Sequence, residues 1–232
     1  MAKPVDLIVF SCVTGGIDDI RHLLTSRPLA QPGVFCILFT DAKLDWDNLP
    51  GTDRWEIRPT VWQHPTNPRR TARFHKINSH VVLPPHNTCC WVDGSLQIRQ
   101  DVDLLLLASK YLDTDVLATF KHPLRRCVYQ ELDACIKLRK DHPPTMRQQI
   151  ARYRAEGYPP LAGMVETSCV LRRTCPQVTA FNQAWWREIE RGSLRDQLSF
   201  NYVARKLAMA YGIIPGCRDK SSYFEFHKHR HP

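Results

Sequence analysis

At 232 residues, 43% hydrophobic and 24% charged, the chain is long enough to bury a sizeable core and has an ordinary globular composition. No apolar run approaches the roughly 20 residues of a membrane-spanning helix, which argues against integral membrane association. Lys and Arg outnumber Asp and Glu by 32 to 23, and this formal charge of +9 points to a polyanionic partner without saying which.

Val5 to Cys12 reads as a buried strand stopped by Thr14-Gly15-Gly16, after which Asp18-Asp19 opens a short helix to about Leu24. Val34 to Phe39 is a second wholly apolar strand, ending at Thr40-Asp41. Two such strands around a helix predict a βαβ start and a parallel sheet covered on both faces. Ligands bind these sheets beyond the carboxyl ends of the strands, which puts Thr14, Gly15 and Asp41 on the working edge. A short strand within Arg54 to Val61 follows, and then a helix from Arg69 to Val82. On that helix Arg69 or Arg70 shares a face with Arg73 and Lys76, either a solvated basic face or an anion site.

The run Cys89-Cys90-Trp91-Val92 delivers Asp93-Gly94, and Ser95-Leu96-Gln97-Ile98 follows. Two readings stand here. Asp-Gly between strand-like runs is a strong signal for a tight hairpin turn; alternatively, a strand end presents one acid to a metal and a diphosphate. Further on, Asp101 to Lys110 reads as a helix and Val116 to Phe120 as a buried strand. Cys127 to Lys140 is an amphipathic helix carrying Glu131, and Met146 to Glu156 is a more polar one. Glu166 precedes the last clear strand, Ser168 to Leu171, and Val178 to Glu190 is a helix with Trp185-Trp186. Ser193 caps a final long helix from Leu194 to Tyr211, with Arg195, Asp196 and Gln197 in its first turn. Without repeats or linkers, a single α/β domain is expected.

Nine cysteines, with no Cys-x-x-Cys and several inside apolar runs, read as reduced, buried thiols. With an N-terminus lacking a signal-peptide pattern, they predict a soluble, cytoplasmic protein. Asp93 and Ser95 offer oxygen ligands to Mg²⁺ or Mn²⁺. His227, His229 and His231 alternate, so an extended tail presents three imidazoles on one side; a disordered basic terminus is the competing reading. Arg73 and Lys76 can neutralise a diphosphate. Asp196 serves the chemistry, the helix dipole or a structural ion pair, and Glu166 is a second candidate carboxylate. No nucleophile elbow, phosphate-cradling Gly-rich loop or His-Glu-x-x-His occurs. The basic residues fall in scattered groups and no nucleic-acid motif is present, so nucleic acid is not the expected partner.

The order of short motifs adds to this. Phe39-Thr40-Asp41, Arg73-x-x-Lys76, Trp91 to Ile98, His122-Pro123, Tyr129-Gln130-Glu131, Glu166-Thr167, Trp185-Trp186-x-Glu188, Arg195-Asp196-Gln197 and His227-Lys228-His229 succeed one another along nearly the whole chain. The series resembles the glycosyltransferase-like family that includes the plant hexosyltransferases of seed-mucilage synthesis. The resemblance implies a GT-A-type, Rossmann-like three-layer α/β/α domain with a mixed, mainly parallel sheet. It implies a nucleotide-sugar-binding half over about residues 1–100 and an acceptor half with the tail over about 101–232. It further implies metal-assisted transfer of a sugar from a nucleotide-sugar donor, a UDP-sugar foremost, to a glycan or other hydroxyl acceptor. By position Asp93 would touch metal and diphosphate, His227 or His229 would complete the metal shell, Asp196 would face the reaction centre and Asp41 the nucleoside. Ser95 stands where a second metal-binding acid would be, so a non-catalytic nucleotide- or glycan-binding module of the same fold is the alternative.

Overall fold

A computed structural model describes residues 5–16, 20–25, 31–49 and 51–228. Four strands, β1 (Val5–Val13), β2 (Val34–Thr40), β3 (Glu56–Pro59) and β4 (His86–Val92), pair in parallel in the order β3-β2-β1-β4. The sheet continues through β7 (Val165–Arg173), β6 (Leu117–Lys121) and β8 (Gly212–Ile214), giving seven strands. β7 runs antiparallel to both β4 and β6, while β8 is parallel to β6. The sheet is mixed and mainly parallel, as expected. Apolar residues on both faces of the central strands explain this placement, because only a doubly covered sheet hides such runs. Ile8, Phe10 and Trp91 pack into one core, and Leu7, Val9 and Val92 into another.

The first core is covered by α2 (Pro68–Ile77), α5 (Val128–Lys137), α6 (Pro143–Ala155), α7 (Pro176–Arg191) and α8 (Gln197–Lys206). The second lies under α1 (Ile20–Leu24) and α4 (Leu104–Tyr111). Arg172 is fully buried on β7, its guanidinium carbon 5.8 Å from the centre of the Trp185 ring. No helix among the described residues is long and apolar enough to cross a membrane. All nine cysteines are free.

Several local expectations are corrected. β5 (Leu96–Ile98) pairs with β9 (Phe224–Phe226) in a separate two-stranded sheet and not with β4, so the Asp93-Gly94 turn does not make a hairpin. β7 begins before Glu166, which is therefore an inward-packed strand residue and not its prelude, and two three-residue strands follow it. The helix expected over Arg69 to Val82 breaks at Asn78 and restarts as α3 (Ser79–Val82). The final helix starts at Gln197 and ends at Lys206, with Asp196 in the capping position in place of Ser193. Asp18 and Asp19 lie outside the described residues.

Candidate active site

A cavity of about 390 Å³ opens where β4 ends and β7 begins. The opposed direction of β7 brings both to one edge of the sheet. Asp93 leaves β4 with its backbone N–H donating to the Ser168 carbonyl at 2.8 Å, and the Leu96 N–H closes the turn on the Asp93 carbonyl at 2.8 Å. Asp93 Oδ1 accepts from Trp91 Nε1 at 2.6 Å and from Lys76 Nζ at 3.2 Å, which fixes the orientation of a carboxyl that stays 28% exposed.

Lys76, on the last turn of α2, is 1% exposed. Its ammonium lies 2.7 Å from Asp196 Oδ2 and 3.2 Å from Thr167 Oγ1, and Thr167 in turn donates to Asp196 Oδ2 at 2.7 Å. Arg73 Nε sits 3.0 Å from Asp196 Oδ1. Burial pushes the Asp196 carboxyl up, but Arg73, Lys76 and Arg195 outweigh it and hold the group well below the usual carboxylate range. The side chain makes no capping hydrogen bond. Asp196 is therefore the buried hub of an ionic network, not a complement to the helix dipole. Of the basic face expected on α2, Arg73 and Lys76 are turned inward and paired, Arg70 donates to the Ile189 and Gly192 carbonyls, and Arg69 stays exposed.

Glu166 and Ser168 line the same cavity. Glu166 Oε1 accepts from Ser168 Oγ at 3.2 Å and Oε2 from the Arg218 backbone N–H at 3.3 Å. Burial pushes this carboxyl up from its ordinary value, against the pull of Arg218. Across the cavity, Glu131 on α5 pairs with Arg125 and lies 3.8 Å from Arg195 Nη2. His122 Nδ1 accepts the N–H groups of Leu124 (3.1 Å) and Arg125 (3.0 Å), which leaves its proton on Nε2, 3.9 Å from Glu131 Oε2. Burial and Arg125 bring this imidazole down to about 4, so it is neutral at pH 7.

The remaining predicted residues divide. Ser95 lines the cavity, and its carbonyl accepts the His227 N–H at 2.8 Å, sewing β9 to the Asp93 turn. The His227 ring itself is elsewhere: Nε2 lies 2.8 Å from Gln97 Oε1, and the ring stacks on His22 with centres 3.8 Å apart. His229 and His231 lie outside the described residues. Asp41 accepts the Gly15 N–H at 3.1 Å on both carboxylate oxygens, bracing the loop after β1 beside the cavity. Gly15 has φ +67°, and a Cβ there would meet Pro68 at 2.6 Å, so the close approach of α2 to β1 requires glycine. Thr167, Glu131, His122 and Arg218 are site residues to which the sequence assigned no role.

Among the described residues no group of three or more His, Cys, Asp or Glu is arranged to hold a metal ion. Asp93 nonetheless fits a hard cation that keeps positions for substrate oxygens, since it is cavity-lining and oriented through one oxygen. It would be the protein's carboxylate ligand.

The sequence model of the TOD1/MUCI70 glycosyltransferase-like domain matches residues 1–228. The probable hexosyltransferase MUCI70 of Arabidopsis thaliana is 25% identical over 218 residues, covering 87% of this chain. The chain spans 38% of that relative's length. Among solved structures, the apo bifunctional glycosyltransferase WbbM superposes with a TM-score of 0.56 at 8% identity, over 93% of this chain and 39% of its own. Mouse xyloside xylosyltransferase 1, also apo, superposes with a TM-score of 0.51 at 12% identity, over 91% of this chain and 85% of its own. These two likenesses establish the GT-A-type fold expected from the motifs.

Proposed function

The chain belongs to the TOD1/MUCI70 glycosyltransferase-like domain family, and from that premise we propose that it is a hexosyltransferase using a nucleoside-diphosphate sugar and a divalent cation. One observation carries the reading: Asp93, oriented by Trp91 and Lys76, shares a cavity with Glu166, a buried carboxyl whose proton affinity is raised. A carboxylate that faces the cavity and a second one able to take up a proton suit a sugar transfer in which the acceptor hydroxyl is deprotonated.

In this mechanism Glu166 accepts the proton of the acceptor hydroxyl as that oxygen bonds to the sugar's anomeric carbon. The bond from that carbon to the donor phosphate oxygen breaks, and the nucleoside diphosphate leaves. Asp93 would hold the divalent cation, Mn²⁺ or Mg²⁺, whose chemistry is to offset charge on the departing diphosphate. Asp196 has its oxygens engaged by Lys76, Thr167 and Arg73, so its part is to fix Lys76 against Asp93. Lys76 and Arg73 add positive potential at the cavity wall. The nucleotide side of the cavity is the N-terminal half of the chain, with Asp41 bracing its rim.

A thermal-shift titration with UDP, GDP and their sugar conjugates, with Mn²⁺ or with EDTA, tests the reading. A Mn²⁺-dependent rise with one nucleotide, lost in Asp93→Ala, is expected. No shift with any nucleotide would sink it. Ser95, in place of a second acid, favours a second reading, a nucleotide- or glycan-binding module without turnover. That reading is adopted if the nucleotide binds but no sugar is ever transferred or hydrolysed from the donor.

A further inference from the structure

Glu131, His122 and Arg195 line the cavity, yet none takes part in the proton transfer or in holding the diphosphate. Glu131 joins the three and is 1% exposed. Arg125 engages its Oε2, but Oε1 accepts only from the Cys135 thiol, with Sγ at 3.3 Å, and Arg195 Nη2 stays 3.8 Å away. Arg195 Nε is buried with no hydrogen-bond partner. His122 spends Nδ1 on the Leu124 and Arg125 N–H groups, and its Nε2–H finds no acceptor among the described residues, Glu131 Oε2 being 3.9 Å off. Three polar groups at one end of a cavity are thus short of partners, which is costly unless a ligand supplies them.

The sheet says which ligand. β4 and β6 flank β7, and both run out where β7 begins. On the β4 side the Asp93 N–H donates to the Ser168 carbonyl at 2.8 Å. On the β6 side Phe120 pairs with Glu166, and the His122 N–H donates to the Met164 carbonyl at 2.9 Å. Glu166 therefore lies between Asp93 and His122 both across the sheet and along the chain. Asp93 faces the cation and diphosphate, and Glu166 takes the proton of the attacking hydroxyl. The sugar that owns this hydroxyl then lies beyond Glu166 from Asp93, against His122, Glu131 and Arg195.

We propose that Glu131, His122 and Arg195 form the acceptor subsite and that they read a neutral sugar through two adjacent hydroxyls. The proposal rests on the glycosyltransferase reading above. One hydroxyl donates to Glu131 Oε1, and the two oxygens accept from His122 Nε2–H and Arg195 Nε–H, so each open atom gains a partner. A hydroxyl both donates and accepts. A carboxylate or phosphate only accepts, and it would set a second negative charge beside buried Glu131. The exposed Leu124 and Leu138 line the same cavity and suit the C–H face of a sugar ring.

The test is a saturation-transfer NMR titration of the whole chain, loaded with UDP or GDP and Mn²⁺. The probes are the methyl glycosides of glucose, galactose, mannose, xylose, arabinose and rhamnose, with methyl glucuronide and methyl galacturonide beside them. A neutral glycoside should bind tightest, and removing either hydroxyl of one adjacent pair should weaken it at least about tenfold. These sugar analogues report on the wild type and do not depend on any variant folding. His122→Asn keeps an acceptor oxygen at the Nδ1 position and loses the Nε2–H. It should weaken the tightest glycoside about fivefold or more and leave nucleotide affinity unchanged within about twofold. It should also bind one of the two deoxy analogues as the wild type does, because the lost partners are the same. Tightest binding of a uronide, indifference to every single deoxygenation, or no glycoside bound by the nucleotide-loaded chain overturns the proposal. So does a nucleotide affinity that falls in step with glycoside affinity in His122→Asn, which would give these residues to the donor. Absence of nucleotide binding in the wild type removes the transferase reading instead, and is measured with no sugar present.

Discussion

Replacing Lys76 with methionine probes the network beneath the site. The substitution keeps the aliphatic stem and removes an ammonium that is 1% exposed and lies within 3.2 Å of Asp93, Thr167 and Asp196. Removing one partner from a buried ion pair costs about 3–5 kcal/mol, because the other charge stays buried. Arg73 remains 3.0 Å from Asp196, so the low end applies. For a chain of this size each kcal/mol is worth about 2–4 °C, so a loss of about 3 kcal/mol lowers Tm by about 6–12 °C. The assay is urea denaturation at pH 7, followed by tryptophan fluorescence and circular dichroism. The double variant Lys76→Met/Asp196→Asn should recover at least half of the loss, since the two charges are in contact and not additive. A single-variant loss below about 1 kcal/mol, or a double variant as unstable as the sum of the singles, would refute the network as described.

The acid limb offers a second check. Asp196 has a folded pKa below its unfolded one, so its contribution is complete above about pH 4 and is lost as pH falls towards the folded value. Asp196→Asn should flatten wild-type destabilisation below that pH; an unchanged acid limb counts against the reading. Glu166 has the opposite sign: its raised folded pKa means ionisation costs stability as pH rises through it. Glu166→Gln should therefore gain stability at pH 7 relative to pH 4 while removing the rising limb of the pH–kcat profile, and a retained limb would exclude it as the base. Arg139→Gly should raise stability by about 0.5–1 kcal/mol in urea by relieving a left-handed residue, and a decrease would mean its side chain matters more than its φ. Arg172→Met should be neutral or stabilising by up to about 4 kcal/mol, because the guanidinium is buried without a hydrogen bond. A loss above about 3 kcal/mol would show instead that Arg172 balances a thiolate at Cys89, its cross-strand neighbour, and would appear together with reduced absorbance at 240 nm.

The parallel strands were legible because burial on both faces writes them as uninterrupted apolar runs, as in Val34 to Phe39. The family was legible only through the order of motifs, each too short to be specific. What stayed hidden depends on partners distant in the chain. Asp93-Gly94 carries the local chemistry of a hairpin, and only the pairing of β5 with β9, more than a hundred residues later, decides against it. Lys76 reads as one more cation on a basic helix until Asp196 and Thr167 are folded against it. Thr167 looks like an ordinary strand residue, and Glu131 like the polar side of an amphipathic helix. The early end of α8 has no glycine to announce it; Ala208 turns left-handed at φ +47° and closes the helix.

The reversed strand has a consequence for synthesis. β1 to β4 are contiguous in the chain and form a four-stranded block, but β4 has one edge open until β7 is made. About 70 residues separate Val92 from Val165, and at translation speeds of about 5–20 residues per second the edge stays bare for about 4–15 s. A bare, flat, apolar edge is a template for other strands. The nascent chain therefore passes through a stage that invites chaperone capture, and the candidate site is assembled only when the shield arrives.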